Sequence, residues 1–325
     1  LVGSEMCIRD RRYGKGTYRR GAWNIVIEVR NLKKCFEGAP ALEQVNLTVE
    51  PGRIMGVVGS NGAGKSTLLR VLSGIYKADG GEVLIDGEAV FENPAVKKRL
   101  YFVPDNPCFE PGATLLSTAR LNAAFYPSFS AERFDRLRGV FQLDPRKKIA
   151  AMSKGMQRQA ALITALSIGP DYLLLDEVFD GLDPVMRRLL KRVIAGEVAD
   201  RRMTVLIASH NLRELEDFCD TVGLLHRGGV LLEKEIDELK LGLHRVQVVF
   251  REPMTDEALH GLFNVVSVSR TGSLCTMVVR GDRARIAKKI ASLEPQFCEF
   301  LSLSLEEVFI REMEAVGYDF EEIVC

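Results

Sequence analysis

The chain has 325 residues, of which 46% are hydrophobic and 27% are charged, a composition typical of a folded globular protein. Lys and Arg total 44, and so do Asp and Glu, so the charge balance gives no reason to expect a nucleic-acid partner. No stretch approaches the roughly 20 apolar residues that cross a bilayer. The seven cysteines are scattered without a Cys-x-x-Cys pair, which favours reduced thiols in a cytosolic protein over a disulfide framework or a zinc site.

The first residues are basic and show little periodicity. Residues 1–11 resemble the translation of a sequencing-adapter read-through, and the chain does not begin with Met. We therefore expect 1–22 to be a non-native or disordered leader. A genuine basic tail is the alternative.

The next part of the chain reads as an alternation of strands and helices. Apolar patterning predicts strands at 24–29, 42–49, 54–58 and 82–85, and a helix at 65–72. The segment 113–168 is mainly helical in pattern, and strands are predicted at 172–175 and 204–208, with a hairpin at 223–232. This alternation predicts an α/β fold with a mostly parallel core sheet.

After about residue 240 the pattern changes. Strands are predicted at 245–250, 265–269 and 273–279, and a helix at 283–293. We interpret this region as a separate small α+β domain.

A glycine-rich loop follows the strand predicted at 54–58 and fits the phosphate-binding pattern G-x-x-x-x-G-K-[ST]. Glycines let successive backbone N–H groups point at a phosphate chain, and the following helix adds its positive end. Lys65 is expected to reach the β- and γ-phosphates, and the Ser66 hydroxyl to ligate Mg²⁺. The predicted nucleotide-binding residues of this loop are Gly59, Ser60, Asn61, Gly62, Ala63, Gly64, Lys65, Ser66 and Thr67.

Two acidic residues, Asp176 and Glu177, follow the apolar strand predicted at 172–175. Open α/β sheets bind ligands at the carboxyl ends of their strands. We therefore expect Asp176 to hold Mg²⁺ through water and Glu177 to orient and deprotonate the attacking water. Many strands end in acidic residues, so the pattern is weak alone, but the phosphate-binding loop upstream favours the catalytic interpretation.

The segment 152–157 reads Met-Ser-Lys-Gly-Met-Gln. It resembles the Leu-Ser-Gly-Gly-Gln signature of the ATP-binding cassette (ABC) family: Ser153 and Gly155 are kept, Lys154 replaces a glycine, and Gln157 comes one place late. The resemblance implies that Ser153, Gly155 and Gln157 face the γ-phosphate bound to the opposite subunit. Taken alone, Ser153 would be an ordinary helix N-cap.

Three more residues resemble elements of this family in the family's order. Asp183, within 181–184, resembles the loop that links the two active sites across the dimer, and is otherwise a turn before a helix. His210 resembles the switch histidine that contacts the γ-phosphate. Phe36 resembles the aromatic ring that stacks on adenine, with a core phenylalanine as the alternative.

Asp105 departs from the family pattern. The family has Gln after the strand that corresponds to 100–104, and that Gln contacts Mg²⁺ and water while its loop touches the membrane partner. An Asp can also ligate Mg²⁺, so Asp105 joins Ser66 and Asp176 as a metal candidate, although it adds negative charge beside the phosphates. The departure bears on coupling more than on ATP binding.

The end of the chain, 304–309, resembles the closing helix of many bacterial drug- and antibiotic-type exporter ATPases. Together with Asp105 and the Ser-Lys-Gly-Met-Gln variant, it indicates a bacterial export-type subfamily by analogy. The predicted division of the chain is a leader at 1–22, an ABC ATPase domain at 23–240 with a helical subdomain at about 106–168, and an accessory α+β domain at 241–325.

The resemblance implies a P-loop ABC cassette with a mostly parallel core sheet, an antiparallel β subdomain and a helical subdomain. It implies ATP and Mg²⁺ as cofactors and Lys65, Glu177 and His210 as the catalytic set. Two ATP molecules would be sandwiched in a homodimer, or in a heterodimer with a second ATPase subunit. The dimer would act at the cytoplasmic face of the membrane on a transmembrane permease carried by a separate chain, moving substrate outward.

Two alternatives stay open at this point. A soluble ABC ATPase acting on ribosomes or DNA usually carries two cassettes or a long coiled-coil insertion, whereas this chain has one cassette and no sustained heptads. A P-loop kinase or GTPase is disfavoured because Ser153, the acidic pair at 176–177 and His210 occur together.

Overall fold

The structure is a computed structural model that describes residues 26–301, 303–308 and 310, with the backbone alone at 239–241. The chain divides between Glu233 and Lys234 into two compact units. The expected leader, the first residues of the strand predicted at 24–29 and part of the predicted closing helix lie outside the described residues. None of the described helices has the length and apolarity needed to span a bilayer.

The elements of the first unit follow the predicted alternation of strands and helices. In chain order the strands are β1 (Ile27–Phe36), β2 (Ala39–Val49), β3 (Ile54–Val58), β4 (Gly80–Ile85), β5 (Glu88–Ala89), β6 (Leu100–Val103), β7 (Tyr172–Asp176), β8 (Thr204–Ser209), β9 (Thr221–His226) and β10 (Gly229–Glu235). The helices are α1 (Lys65–Leu72), α2 (Pro94–Lys97), α3 (Leu115–Phe125), α4 (Ala131–Val140), α5 (Lys154–Ile168), α6 (Pro184–Arg201) and α7 (Leu212–Leu215).

The central sheet has the strand order β10-β9-β3-β8-β7-β6. Strand β3 runs parallel to β8 and β9, and β7 runs parallel to β8 and β6. Every residue of β3, β7 and β8 is buried, as expected for parallel strands that are covered on both faces. The predicted mostly parallel sheet is confirmed, and the carboxyl ends of β3, β6, β7 and β8 lie at one edge.

A second sheet, of order β2-β1-β4-β5, is antiparallel. In β2, Leu42, Val45 and Leu47 are buried while their neighbours are mostly exposed, the alternation of a sheet with one face on the core. These side chains share a buried cluster with Leu68 and Leu72 of α1. The cluster fixes the helix that follows the glycine-rich loop.

The helical segment predicted at 113–168 contains α3, α4, a short 3-10 turn (Ile149–Ala151) and α5. Each long helix begins at a side-chain cap, which accepts a backbone N–H of the first turn: Thr114, Ser130 and Ser153. From Gln159 onward α5 is buried, and α3 and α4 pack against it. The start of α5 is the exposed end of a buried helix.

The second unit is α+β, as predicted. Its elements are α8 (Ile236–Leu241), β11 (Leu243–Val249), α9 (Asp256–Leu262), β12 (Val265–Thr271), β13 (Leu274–Arg280), α10 (Arg283–Ala291) and β14 (Phe297–Leu301). The strands form an antiparallel sheet of order β12-β13-β11-β14. The β-α-β-β-α-β succession from β11 to β14 with this order is the ferredoxin-like split β-α-β arrangement.

Candidate functional site

Four loops meet at the edge of the central sheet where its parallel strands end. The loop 59–64 follows β3, Asp105 follows β6, Asp176 and Glu177 lie at the end of β7, and His210 follows β8. The strand direction therefore brings residues from four distant parts of the chain to the edge where open α/β sheets bind ligands.

The glycine-rich loop 59–64 is a tight turn between β3 and α1. Gly64 has a φ of 106°, in the region that favours glycine, and a Cβ at this position would lie 2.6 Å from the Ala41 carbonyl oxygen. Gly64 provides no side-chain cap to α1, so the first N–H groups of α1 are available to an anion. Ser60, Asn61 and Gly62 at the tip are exposed.

Lys65 begins α1 and is almost fully buried, with 6% of its surface exposed. Its Nζ donates to the carbonyl oxygens of Gly59 at 2.6 Å and Ser60 at 3.2 Å. The same nitrogen lies 3.4 Å from Glu177 Oε1. The ammonium is thus placed between the loop and the acidic residue at the end of β7.

Glu177 joins two of the predicted catalytic residues. Its Oε2 lies 3.0 Å from His210 Nδ1 and accepts the His210 backbone N–H at 3.3 Å. Glu177 has a positive φ of 47°, a conformation that is strained for a residue with a side chain, and its N–H donates to the Ala208 carbonyl oxygen at 3.0 Å. Lys65, Glu177 and His210 therefore form one network, with Asp180 close enough that its carboxylate lies within 4.8 Å of Glu177 and His210.

Asp176 is buried, with 1% of its surface exposed, and neither carboxylate oxygen has a hydrogen-bond partner. The pKa of this carboxyl is raised, chiefly because burial disfavours the charged form; the nearby Ser66 hydroxyl opposes the shift, and the charges of Glu177 and Asp105 add to it. Burying a carboxylate with so little hydrogen bonding is costly, and a bound cation would compensate for this cost. Carboxylate and hydroxyl oxygens are ligands that Mg²⁺ takes in proteins, so Asp176 and Ser66 fit a magnesium ion.

Asp105, the third predicted metal ligand, is held by other side chains. Its Oδ1 accepts from Arg158 Nη2 at 2.5 Å, and its Oδ2 accepts from Asn106 Nδ2 at 2.9 Å. Arg158 also donates to the Asp180 carbonyl oxygen. Arg158 and Asp180 were not predicted from the sequence; a cation in the first turns of α5 and an acid in the loop after Glu177 were the available signals.

The residues that resemble the family signature lie at the start of α5. Ser153 accepts a backbone N–H of the first turn at 3.3 Å, and the Gln157 side chain donates to the Met152 carbonyl oxygen at 3.1 Å. Gly155 lies against the loop after β7, since a Cβ at this position would be 2.9 Å from the Gly181 carbonyl oxygen. Within one chain, the start of α5 therefore packs directly on the loop that follows Glu177.

The remaining candidates, Asp183 and Phe36, are exposed. Asp183 caps α6, and its Oδ1 accepts the N–H groups of Val185 at 3.0 Å and Met186 at 2.9 Å. The Phe36 ring is 41% exposed and packs edge-on against Tyr76, with ring centroids 5.3 Å apart. The Lys34 ammonium lies over the same ring, 5.3 Å from its centroid. A partly exposed ring at the end of β1 is compatible with stacking on a planar ligand.

A groove of about 800 Å³ lies beside this edge, in the helical part of the first unit. It is lined by Asn106 and Pro107, by the following residues up to Ala113, and by α3 side chains that include Leu121. Leu121 is 47% exposed and Ile75, also in the lining, is 57% exposed. The groove is thus an apolar surface that continues from the loop carrying Asp105.

The fold and this site define a P-loop protein that binds and hydrolyses a nucleoside triphosphate. The model of the family described as "ABC transporter" matches residues 42–180. The chain is 30% identical over 287 residues to the ABC transporter ATP-binding protein YtrB of Bacillus subtilis, covering 88% of this chain and 98% of that protein. The chain therefore belongs to the family of ABC transporter ATP-binding proteins.

Further comparisons agree with this assignment. The chain is 31% identical over 218 residues to the bacitracin transport ATP-binding protein BcrA of Bacillus licheniformis, covering 66% of this chain and 71% of that protein. A solved ATP-binding subunit of an ABC transporter is 27% identical, with a TM-score of 0.62 over 66% of this chain and 92% of the other. The dimeric bacterial cassette MJ0796, 23% identical with a TM-score of 0.60 over 65% of this chain and 98% of the other, shares the fold.

The chain is thus an ATP-binding and ATP-hydrolysing subunit that powers an ABC transporter. The predicted fold class, the transport function and the ATPase activity are confirmed, and ATP is the nucleotide. The soluble alternative, acting on ribosomes or DNA, is not favoured.

Proposed function

We propose that this subunit binds Mg²⁺-ATP at the edge of the central sheet and hydrolyses it when a second ATPase subunit completes the site. The network of Lys65, Glu177 and His210 beside the unpartnered Asp176 carries this proposal. An ammonium, a carboxylate, an imidazole ring and a buried second carboxylate lie in one small region, and we assign them the roles of phosphate ligand, general base, γ-phosphate contact and metal ligand.

Nucleotide binding would use the glycine-rich loop and the residues around it. The N–H groups at 59–67 surround the phosphates, and Lys65, already held over the loop by two carbonyl oxygens, turns to them. Asp176 and Ser66 hold Mg²⁺, which neutralises charge on the phosphates when bound. Asp105 remains a metal candidate, although its carboxylate must first lose the hydrogen bond from Arg158. Phe36 stacks on the adenine.

Hydrolysis would depend on the carboxylate of Glu177. His210 fixes this carboxylate through two contacts to Oε2 and is itself 47% exposed at the side chain, so its other ring nitrogen can face the γ-phosphate. Glu177 orients the attacking water and takes its proton. The Lys65 ammonium stabilises the negative charge that develops on the phosphate oxygens.

The second subunit would supply the start of its α5. Ser153 is exposed at this helix end. Together with Gly155 and Gln157 it would bind an anion at the N-terminus of α5, a helix of 15 residues. Asp183 begins α6 beside the same loop and would connect the two sites. A homodimer and a heterodimer with a related ATPase subunit both fit this arrangement.

The membrane partner would be a transmembrane permease on a separate chain. The groove along 106–113 and α3 offers an apolar surface to it. In this assembly the subunit would lie at the cytoplasmic face of the membrane. Export is the proposed direction, on the resemblance of the sequence at 304–309 to the closing helix of exporter ATPases. We propose that 23–240 form the ATPase domain, with 106–168 as its helical subdomain, and that 241–325 form an accessory domain.

Mixing two inactive variants tests the shared site. Lys65→Ala removes the phosphate ligand of a subunit's own site, and Ser153→Ala removes a donor to the partner's site. In a homodimer each variant alone is expected to be nearly inactive, whereas a mixture forms dimers with one intact site and regains part of the ATPase activity. Ser153→Ala should still bind ATP and keep its fold by thermal unfolding, although losing an N-cap costs about 1 kcal/mol.

Co-purification with a membrane protein from detergent extract tests the partner. Leu121→Arg places a charge in the groove, and Val140→Arg places one at a similarly exposed apolar residue outside its lining (47% and 40% exposed). We expect the first variant to lose the integral membrane protein and the second to keep it. Equal recovery in both variants would contradict docking at the groove, and the absence of any membrane subunit with the wild type would contradict the transporter assembly.

A further inference from the structure

The guanidinium of Arg158 joins three segments of the first unit. Arg158 lies in the early part of α5, and only 12% of its side chain is exposed. Its Nη1 donates to the Asp180 carbonyl oxygen, and its Nη2 donates to the Asp105 carbonyl oxygen at 2.8 Å and to Asp105 Oδ1 at 2.5 Å. One largely buried side chain thus ties α5, the helix that begins after Ser153, to the loops that follow β6 and β7.

The Asp105 end of this connection is continuous with the groove. Asp105 accepts Asn106 Nδ2 at its second oxygen, and Asn106 is the first residue of the stretch that lines the groove. Both oxygens of the Asp105 carboxylate are therefore used inside the protein. A movement of the groove-lining stretch must act on the pair formed by Asp105 and Arg158.

The Asp180 end is continuous with the catalytic network. The Asp180 N–H donates to the Glu177 carbonyl oxygen at 3.2 Å, and the Asp180 carboxylate lies within 4.8 Å of the carboxylate of Glu177 and the ring of His210. The same turn packs against Gly155, where an added Cβ would lie 2.9 Å from the Gly181 carbonyl oxygen. We therefore expect a shift of the Asp180 peptide to move Glu177, which is proposed to orient the attacking water.

Arginine suits this position because its planar group donates in two directions at once. The Nη1 and Nη2 hydrogens are fixed relative to each other, so the two loops are held at one spacing. A lysine has a single nitrogen and cannot hold both loops in the same geometry. Asparagine at 105 still offers an oxygen acceptor to Arg158, although without charge.

We propose that Arg158 is a positioning residue that couples the groove to the catalytic network, by clamping the Asp105 loop to the Asp180 peptide. In this role Asp105 serves as the partner of Arg158. The inference rests on the proposed function, in which the membrane subunit binds at the groove. The clamp makes the geometry around Glu177 depend on the position of the loop that the membrane subunit touches.

The first test separates binding from turnover in four variants: Arg158→Gln, Arg158→Lys, Asp105→Asn and Asp105→Ala. Because Arg158 contacts neither the glycine-rich loop nor Lys65 in the structure, we expect ATP affinity within about twofold of wild type and kcat lowered by between about 10- and 100-fold in Arg158→Gln, as for a misplaced catalytic group. Asp105→Asn should lower kcat less than Asp105→Ala does, because an amide oxygen at this position can still accept from Arg158.

The double variant Arg158→Gln with Asp105→Ala adds a check on the pair. If the two residues act as one clamp, the double variant falls no further than Arg158→Gln alone, and independent effects would multiply instead. Thermal unfolding of all variants is followed in parallel. A uniform loss of stability and of ATP affinity in Arg158→Gln, with Arg158→Lys at full kcat, would overturn the clamp in favour of a purely structural role.

The second test follows the loop directly through Cys108. This native cysteine is exposed and lines the groove, so it can carry an environment-sensitive fluorophore once Cys7, Cys35, Cys298 and Cys325 are replaced by Ser. In the presence of Mg²⁺ and ATP we expect a fluorescence change with Arg158 present and at least about a tenfold smaller change in Arg158→Gln, measured at saturating nucleotide.

The outcomes distinguish the clamp from the function on which it rests. If the wild type neither binds nor hydrolyses ATP, the proposed function fails. If the wild type does both, but Arg158→Gln leaves kcat and the Cys108 signal unchanged, the clamp alone is overturned. Loss of both the Cys108 signal and kcat in Arg158→Gln at unchanged ATP affinity, with a smaller loss in Asp105→Asn than in Asp105→Ala, would establish it.

Discussion

Replacing Glu177 by Gln separates the two tasks that the structure gives to this residue. The change keeps the size of the side chain and removes its charge. Lys65 Nζ and Glu177 Oε1 are 3.4 Å apart, and the two side chains are only 6% and 13% exposed. With an effective dielectric constant of about 20, this attraction amounts to about 5 kcal/mol before the opposing cost of desolvation. Loss of this attraction frees the ammonium, and the phosphates no longer face the carboxylate charge.

We therefore expect Glu177→Gln to bind ATP as tightly as the wild type or more tightly, while its turnover falls by about 10²–10⁴, the usual contribution of a general base. Fluorescent-nucleotide titration measures the first quantity, and single-turnover hydrolysis measures the second. Asp217→Asn, which removes an exposed carboxylate paired with Lys191, is the control for lost charge. Wild-type turnover in Glu177→Gln would remove it from the base role, and weaker ATP binding would refute the electrostatic reasoning.

Three further predictions follow from the contacts. Gly155→Ala forces a Cβ to within 2.9 Å of the Gly181 carbonyl oxygen, so we expect hydrolysis to fall while ATP affinity, measured on the monomer, stays near wild type. Chelation with EDTA should abolish phosphate release, and Asp176→Asn should raise the Mg²⁺ concentration needed for half-maximal activity. Burial opposes ionisation of Glu307, but the Ser304 N–H and Arg245 hold the pKa of its carboxyl below 4.5. Because the pKa is lowered in the folded state, ionised Glu307 adds stability above about pH 4.5, and this stability is lost as the pH falls below that value. Thermal unfolding should show Glu307→Gln less stable than wild type at pH 7, with the difference shrinking as the pH falls below about 4.5; a constant difference would contradict the ionic contribution.

The parts of the fold that were predicted from the sequence are those with strong local patterns. Strands β3, β7 and β8 are continuous apolar runs because both faces of the sheet are covered, and α1 follows a glycine-rich loop with its own motif. Strand β14 and helix α9 were missed. The first three residues of β14 are exposed, and α9 has only seven residues, so neither shows a clear period.

The candidate site likewise has one part that was predicted from the sequence and one part that was not. Lys65, Glu177 and His210 follow strands that are parallel, and their meeting at one sheet edge follows from the strand order alone. The pairing of Arg158 with Asp105 joins residues 53 positions apart, and it depends on how α5 packs beside β6. No local pattern encodes that distance, so the departure at Asp105 was visible in the sequence but its partner was not.

The measurement that bears most directly on the account is Mg²⁺-dependent ATP binding and hydrolysis by the purified wild type and by Lys65→Ala, with the exposed Lys147→Ala as the matched control. We predict that the wild type and Lys147→Ala bind Mg²⁺-ATP and release phosphate, whereas Lys65→Ala loses both activities, since its ammonium is the cation held over the phosphate-binding loop. A wild type without nucleotide affinity, or a Lys65→Ala variant that is indistinguishable from it, would contradict the account.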